Sequence, residues 1–230
     1  HPEHGFIPPD EFIPLAEQTG KIARLTRFVL DRVLRQVRDW KQAGMPMPAS
    51  VNLSAHDLLD ERLPEIVAEL LARYELAPRF LILEVTESAV MKDVAYARGV
   101  MERLRGQGIR LSIDDFGTGH ASLAQLKRLP VDELKIDKSF VLELTRNHDD
   151  MIIVKSTIDL AHNMGLSVTA EGVEDEESLE LLKSYHCDVI QGFLISKPLD
   201  AATMTSWIKT HRAEASVSQE EFGAFAGNKA

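Results

Sequence analysis

The sequence predicts an α/β fold built on a parallel sheet. Three observations predict it. Short β-like runs alternate with amphipathic helical patterns from residue 50 onward, the signature of parallel strands joined by right-handed crossovers. Polar residues collect at the carboxyl ends of those runs, and parallel strands of a barrel point those ends at one mouth. The chain has 230 residues, a length at which α/β barrels commonly form one domain. The architecture expected is a modified TIM-type (β/α)8 barrel.

The elements follow in order. Phe6 to Gly20 reads as loop, with a short helical patch from Asp10 after Pro8 and Pro9. From Lys21 to Ala43 the apolar residues Ile22, Leu25, Phe28, Val29, Val33, Val37 and Trp40 recur every three or four positions, which defines a long helix. Gly44, Pro46 and Pro48 end it. Ser50–Ser54 is a strand, followed by a helical pattern to Tyr74 with Pro64 suited to a first helical turn. Phe80–Glu87 reads as a strand, and Val94–Leu104 as a helix stopped by Gly106 and Gly108. Arg110–Phe116 is a strand and Ser122–Arg128 a short helix. Glu133–Asp137 is a strand, with a helix from Asp149 to Met164 that ends at Gly165. Leu166–Gly172 is a strand, and Glu176–Tyr185 a helix capped by Asp175. Val189–Ile195 is the sixth strand, before a last helix over Ala201–His211. Residues 213–230, rich in Ala, Ser, Gly and Glu, read as a weakly ordered tail behind a domain of residues 1–212.

Composition narrows the function. A net charge of −10 disfavours nucleic-acid polymers and anionic membrane surfaces as partners. No apolar run approaches the ~20 residues of a membrane span, so this domain is not expected to insert into a bilayer. Cys187 is the single cysteine, which excludes an intrachain disulfide and suits a reducing, cytoplasmic compartment. It reads as a small core residue beside a strand, with a nucleophilic role as the alternative. No G-x-G-x-x-G or P-loop pattern stands at a strand-to-helix turn, which disfavours dinucleotide and P-loop enzymes. The opening, His1-Pro2-Glu3-His4-Gly5, reads like the interior of a longer protein.

The stretch Ile113-Asp114-Asp115-Phe116-Gly117-Thr118-Gly119 is the centre of the functional reading. Two adjacent aspartates at a strand end repel each other unless a cation sits between them. Gly117 and Gly119 let the backbone turn sharply beside the pair. An ordinary surface turn is the alternative. The other strand ends favour chemistry: Asn52, Glu84 and Glu87, Lys135 and Asp137, Glu171 and Glu174, and Gln191. From Asn52 through Glu84, Asp114, Lys135 and Glu171 to Gln191, successive gaps are 32, 30, 21, 36 and 20 residues, the lengths of single βα units. Hard oxygen donors without His or Cys suit Mg²⁺ or Mn²⁺. A carboxylate within Ile82-Leu83-Glu84-Val85 is costly to bury unless paired or metal-bound. Lys135, between Leu134 and Ile136, either orients a water or forms a buried ion pair with Asp137 or Glu171. Asn52 is a ligand or a cap, and Glu174 either supports the site or starts a helix. This kit suits phosphodiester hydrolysis by metal-activated water.

The same residues carry a resemblance. His1-Pro2 with Gly5-Phe6-Ile7-Pro8, Phe12 to Glu17, Val51-Asn52-Leu53-Ser54, Leu83 to Ser88, Ile113 to Gly119, Leu129 to Asp132 and Leu134 to Phe140 stand in order. Ala170-Glu171-Gly172-Val173-Glu174, Gln191-Gly192-Phe193 and Ser196-Lys197-Pro198 complete the series. The chain thereby resembles the EAL domain family, bacterial phosphodiesterases that hydrolyse cyclic di-GMP to linear pGpG. The resemblance implies that Asn52, Glu84 and Asp114 ligate one of two Mg²⁺ or Mn²⁺ ions, and that Asp114 with Asp115 ligates the second, supported by Glu171. It implies that Lys135 contacts the nucleophilic water, that Gln191 orders the water or metal shell, and that Asp115, Phe193 and Pro198 contact substrate. Glu87 would hold the Asp114–Ser122 loop, which would also build a homodimer. Upstream sensor or GGDEF-type domains would complete the parent chain. The family's Glu-Ala-Leu lies on its first strand, and this chain begins after it, so the barrel is expected to lack that strand, its metal-binding glutamate and a nearby phosphate-binding arginine. His120, Ala121 and His186 depart from the usual aromatic, Ser and Gly. The alternative is a catalytically inactive module that acts as a cyclic di-GMP receptor or a protein-interaction domain.

Overall fold

A computed structural model describes residues 3–118 and 123–211 of the chain, with the backbone alone for residues 123 and 124. Residues 213–230, His120, Ala121 and Ser122 therefore lie outside the described residues. Six strands form one parallel sheet: β1 (Ala49–Leu53), β2 (Leu81–Thr86), β3 (Arg110–Phe116), β4 (Glu133–Ile136), β5 (Ser167–Glu171) and β6 (Val189–Gln191). They stand side by side in chain order, which is the order of a barrel wall. Among the described residues β1 and β6 are the two edges and do not pair with each other.

Among the described residues ten α-helices and two short 3-10 turns accompany the strands. α1 (Pro9–Gln18) and α2 (Ile22–Gln42) precede the sheet, α3 (Leu63–Arg73) joins β1 to β2, and α4 (Glu87–Met91) and α5 (Val94–Gly106) join β2 to β3. α6 (Leu123–Leu126), α7 (Lys138–Val141), α8 (His148–Asn163) and α9 (Glu176–Ser184) continue the alternation, and α10 covers residues 201–211. Alternation along each strand sorts its side chains into two faces. Val51, Leu83, Val85, Leu111, Ile113, Leu134, Ile136 and Val168 belong to the apolar core with the helices. Glu84, Ser112, Glu133, Lys135 and Thr169 stand on the opposite face and are buried as well. The long helix shows why the sequence folds this way. Its Leu30, Leu34 and Val37, at helical spacing, are wholly buried, each contributing about 2 kcal/mol.

Apart from the added α4 and α7, the strand-helix order matches the sequence reading, and Asp175 caps α9 as expected, accepting from Ser178 N at 2.7 Å. The boundaries that matter for the site differ for local reasons. Glu87 is not a strand end but the first residue of α4, because Thr86 turns its hydroxyl to Ala89 N at 3.2 Å and caps a helix there. Asp137 likewise leaves β4 to cap α7, accepting from Ser139 N at 2.9 Å. β6 stops at Gln191 rather than Ile195 because Gly192 closes onto the backbone of Val173. Cys187 is half-buried and its thiol donates to Val189 O at 3.3 Å. Burial pushes that thiol above its ordinary pKa, which fits the core reading and not a nucleophile.

Candidate active site

The site begins with an irregularity in β3. Ile113 pairs with Leu134 and Phe116 with Ile136, so β3 holds one residue more than β4 between those pairs. Asp114 and Asp115 together face the single Lys135. The extra residue is accommodated at Asp115, whose φ of 55° lies in the left-handed region that Asp tolerates better than bulkier residues. Gly117, at φ 100°, continues the bend as the sequence suggested, with a Cβ position only 3.1 Å from the Phe140 ring.

Lys135 is the hub. Its Nζ lies 2.5 Å from Glu171 Oε1, 3.1 Å from Glu84 Oε2 and 3.5 Å from Asp114 Oδ1. These three carboxylates arrive from β5, β2 and β3, and the lysine side chain retains 6% exposure. Burial works against the ammonium, but the Glu171 hydrogen bond and the Glu84 and Asp114 charges outweigh it and raise the lysine pKa. Burial also raises Glu171; Asp114 and Glu84 add to the rise, against the Lys135 bond. Asp115 is raised by burial first, then by Asp114 and Asp137. One ammonium thus faces several carboxylates, and the site holds an excess of buried negative charge.

Each residue singled out in the sequence has a definite place. Glu84, Asp114, Lys135 and Glu171 are in contact, and Asp115 flanks them. Asn52 is in register with Glu84, and Gln191 with Glu171, but both are exposed and neither touches the ammonium. Phe193, 54% exposed, and Pro198 lie on the segment after β6, where the Lys197 ammonium stands 5.8 Å from the Phe193 ring. Glu87 is buried at the start of α4, and Glu174 is exposed before α9. Of the two ion-pair partners considered for Lys135, Glu171 is one and Asp137 is not, since it caps α7. A cavity of about 520 Å³ opens beside β1, with Asn52, Ser54, Thr86, Ser88, Glu17 and Lys92 among its lining residues.

Backbone contacts hold the strand ends together. A Cβ on Gly192 would lie 2.1 Å from Val173 O, and one on Gly172 would lie 2.6 Å from Lys138 Cβ. Val173 N donates to Gln191 O at 3.1 Å and Leu194 N to Val173 O at 3.0 Å. The ends that carry Lys135, Glu171 and Gln191 are therefore interlocked through places where only glycine fits. Sequence reasoning also passed over Ser112, two residues before Asp114 on the same face and in register with Glu84. Its fully buried hydroxyl has no hydrogen-bond partner among the described residues. The signal available was its period-two spacing from Asp114.

Divalent cations fit the donor set. Asn52, Glu84, Asp114, Asp115 and Glu171 offer only hard oxygen atoms, and the carboxylate excess is what such cations neutralise. Among the described residues no three His, Cys, Asp or Glu side chains are already gathered in metal-binding geometry, because Lys135 occupies their shared centre.

Comparison with known proteins gives the family. The sequence matches the EAL domain family over residues 1–198. It is 45% identical over 202 residues to the bifunctional diguanylate cyclase/cyclic di-GMP phosphodiesterase MucR of Pseudomonas aeruginosa, covering 87% of this chain and 30% of MucR. It is 42% identical over 216 residues to the cyclic di-GMP phosphodiesterase NbdA of the same organism, covering 94% of this chain and 28% of NbdA. The chain thus spans less than a third of the length of either relative. Its fold superposes on the structure described as the PaMucR phosphodiesterase in complex with c-di-GMP with a TM-score of 0.84. That match has 44% identity and covers 89% of this chain and 83% of the other. The chain belongs to the EAL domain family.

Proposed function

We propose that this domain hydrolyses cyclic di-GMP to linear pGpG. The observation that carries the reading is the buried Lys135 ammonium shared by Glu84, Asp114 and Glu171 from three neighbouring strands. Water adds to one phosphorus, the bond from that phosphorus to the ribose 3′ oxygen breaks, and one proton passes from the water to the leaving oxygen. Two Mg²⁺ or Mn²⁺ ions held by Asn52, Glu84, Asp114, Asp115 and Glu171 would supply Lewis-acid stabilisation of the phosphoryl charge and a lowered pKa for water. Lys135 keeps its proton and donates to the attacking water, with Glu171 fixing its direction. Gln191, in register with Glu171, completes the hydrogen bonding at the mouth. Asp115, Phe193 and Pro198 form the substrate's side of the site. Glu87 would hold the Asp114–Ser122 loop, of which residues 119–122 lie outside the described residues, and two copies would pair through it. In a longer parent, sensor or GGDEF-type domains would govern this output in the cytoplasm. Among the described residues no helix is long and apolar enough to cross a membrane.

A receptor that binds cyclic di-GMP without cleaving it is the second reading. It is favoured by the ammonium at the centre of the carboxylates, which gives each of the three a partner without metal. One assay separates the two. The full-length protein carrying this chain is incubated with cyclic di-GMP and Mg²⁺ or Mn²⁺, beside Asp114→Ala, and pGpG is quantified. Metal-dependent product that falls about 10²–10³-fold in the variant is expected. Tight binding with no product leaves the receptor.

A further inference from the structure

We propose that the groove between α2 and α3 is a docking site for an acidic protein segment. α2 carries six basic and two acidic residues, a local charge of +4, whereas the whole chain totals −10 and its remainder therefore −14. Four of the six basic residues, Arg24, Arg27, Arg35 and Arg38, share with Phe28 and Asp31 one flank of the helix, beside the buried stripe of Leu30, Leu34 and Val37.

On that face a groove of about 390 Å³ opens between the helices, lined by Arg24, Arg27, Phe28, Asp31, Leu70 and Arg73. Asp31 is already committed. It accepts from Tyr74 Oη at 2.7 Å and pairs with Arg35 at 3.1 Å and Arg73 at 3.2 Å. Arg24 and Arg27 form no ion pair among the described residues. Phe28 is 61% exposed, with the Arg32 guanidinium 6.0 Å from its ring centroid. The groove thus presents two uncommitted guanidinium forks beside the exposed Phe28 ring, over a floor closed by the buried Leu70.

That pairing selects its ligand. Carboxylates match the forks in bidentate geometry, and an apolar side chain covers the exposed ring, the combination from which protein–protein contacts draw most of their energy. A broad polyanion such as a lipid surface or a nucleic acid would meet the −14 of the remaining chain and the acids Asp31 and Asp39 on α2. A narrow acidic segment avoids both. The groove lies on the outer face of α2, away from Lys135, so occupancy adds an interaction without altering the catalytic groups.

The test uses a fluorescent synthetic peptide of about 16 residues, Glu-rich with leucines at helical spacing. Its anisotropy is measured with the intact protein, with Arg24→Gln/Arg27→Gln and with Phe28→Ala, all checked for unchanged melting. Binding that falls on the order of tenfold in both variants, and with rising salt, is expected. Cyclic di-GMP turnover should be the same in all three proteins, so a failure of the catalytic reading is scored separately. Equal peptide binding by variant and parent overturns the proposal. So does capture of phosphatidylserine vesicles or duplex DNA in place of the peptide. Self-association that the double substitution abolishes also overturns it, since the groove would then be filled by a second copy.

Discussion

The floor and the mouth of the sheet bury similar charges under opposite rules. At the floor, where strands begin, Glu133 accepts from Thr169 Oγ1 at 2.5 Å and faces Arg110 at 3.9 Å. Asp132 accepts from Leu111 N at 3.0 Å and pairs with Arg105 at 3.1 Å. Each floor carboxylate has donors of its own. At the mouth three carboxylates compete for one ammonium, Asp115 sits at a positive φ, and the strand ends touch through glycines. The floor spends its polar groups on stability. The mouth carries unbalanced charge that persists only because the surrounding fold fixes it, which is how a barrel separates stability from chemistry.

The sharpest way to break that contrast is to loosen what holds the mouth. Gly192→Ala places a Cβ against the Val173 peptide and should destabilise the protein by about 3 kcal/mol in urea unfolding. A variant of ordinary stability would show that the interlock is dispensable. Next in size is the floor. Glu133→Ala strands Thr169 Oγ1 and should cost about 2 kcal/mol, with turnover per folded molecule unchanged.

The mouth should answer in the other direction. Glu171 and Asp115 have raised pKa values, so the native metal-free protein holds more protons than the unfolded chain between the ordinary and raised values. Their contribution to stability is present at low pH and is lost as pH rises through the raised pKa values. Glu171→Gln should therefore flatten the fall in melting temperature as pH rises above the ordinary carboxylate range, and leave the metal-free protein no less stable than its parent at neutral pH. A marked loss of stability there would show that the mouth is as balanced as the floor. The smallest effect separates strain kept for function from strain without one. His186 follows α9 at φ 62°, where a glycine would be unstrained, and His186→Gly should gain about 1 kcal/mol in melting experiments without touching activity.

Sequence legibility tracks the range of the forces involved. Short β-like runs ending in polar residues revealed the strands, the three-four spacing from Ile22 to Trp40 revealed α2, and Asp175 announced α9, because each is fixed by neighbours in the chain. The members of the site were legible through their repeated position at strand ends. Of their mutual contacts, only the Lys135–Glu171 pair was among those the sequence offered. That Glu84 and Asp114 both reach Lys135 depends on the bulge between Ile113 and Phe116, and no residue type there signals it. The short β6 depends on Val173, nearly twenty residues earlier, meeting Gly192. α4 and α7 were hidden because their caps, Thr86 and Asp137, stand directly at the ends of β2 and β4 and read as strand residues.

The strand order has a consequence for how the molecule is made. Among the described strands, every neighbour in the sheet is the strand synthesised just before or just after it. These six strands can therefore be added unit by unit as the chain leaves the ribosome, each meeting its described neighbour as soon as it is made. Each new unit still exposes one fresh row of peptide groups until the next arrives, so a pause in translation between βα units is the moment of greatest risk of misassembly.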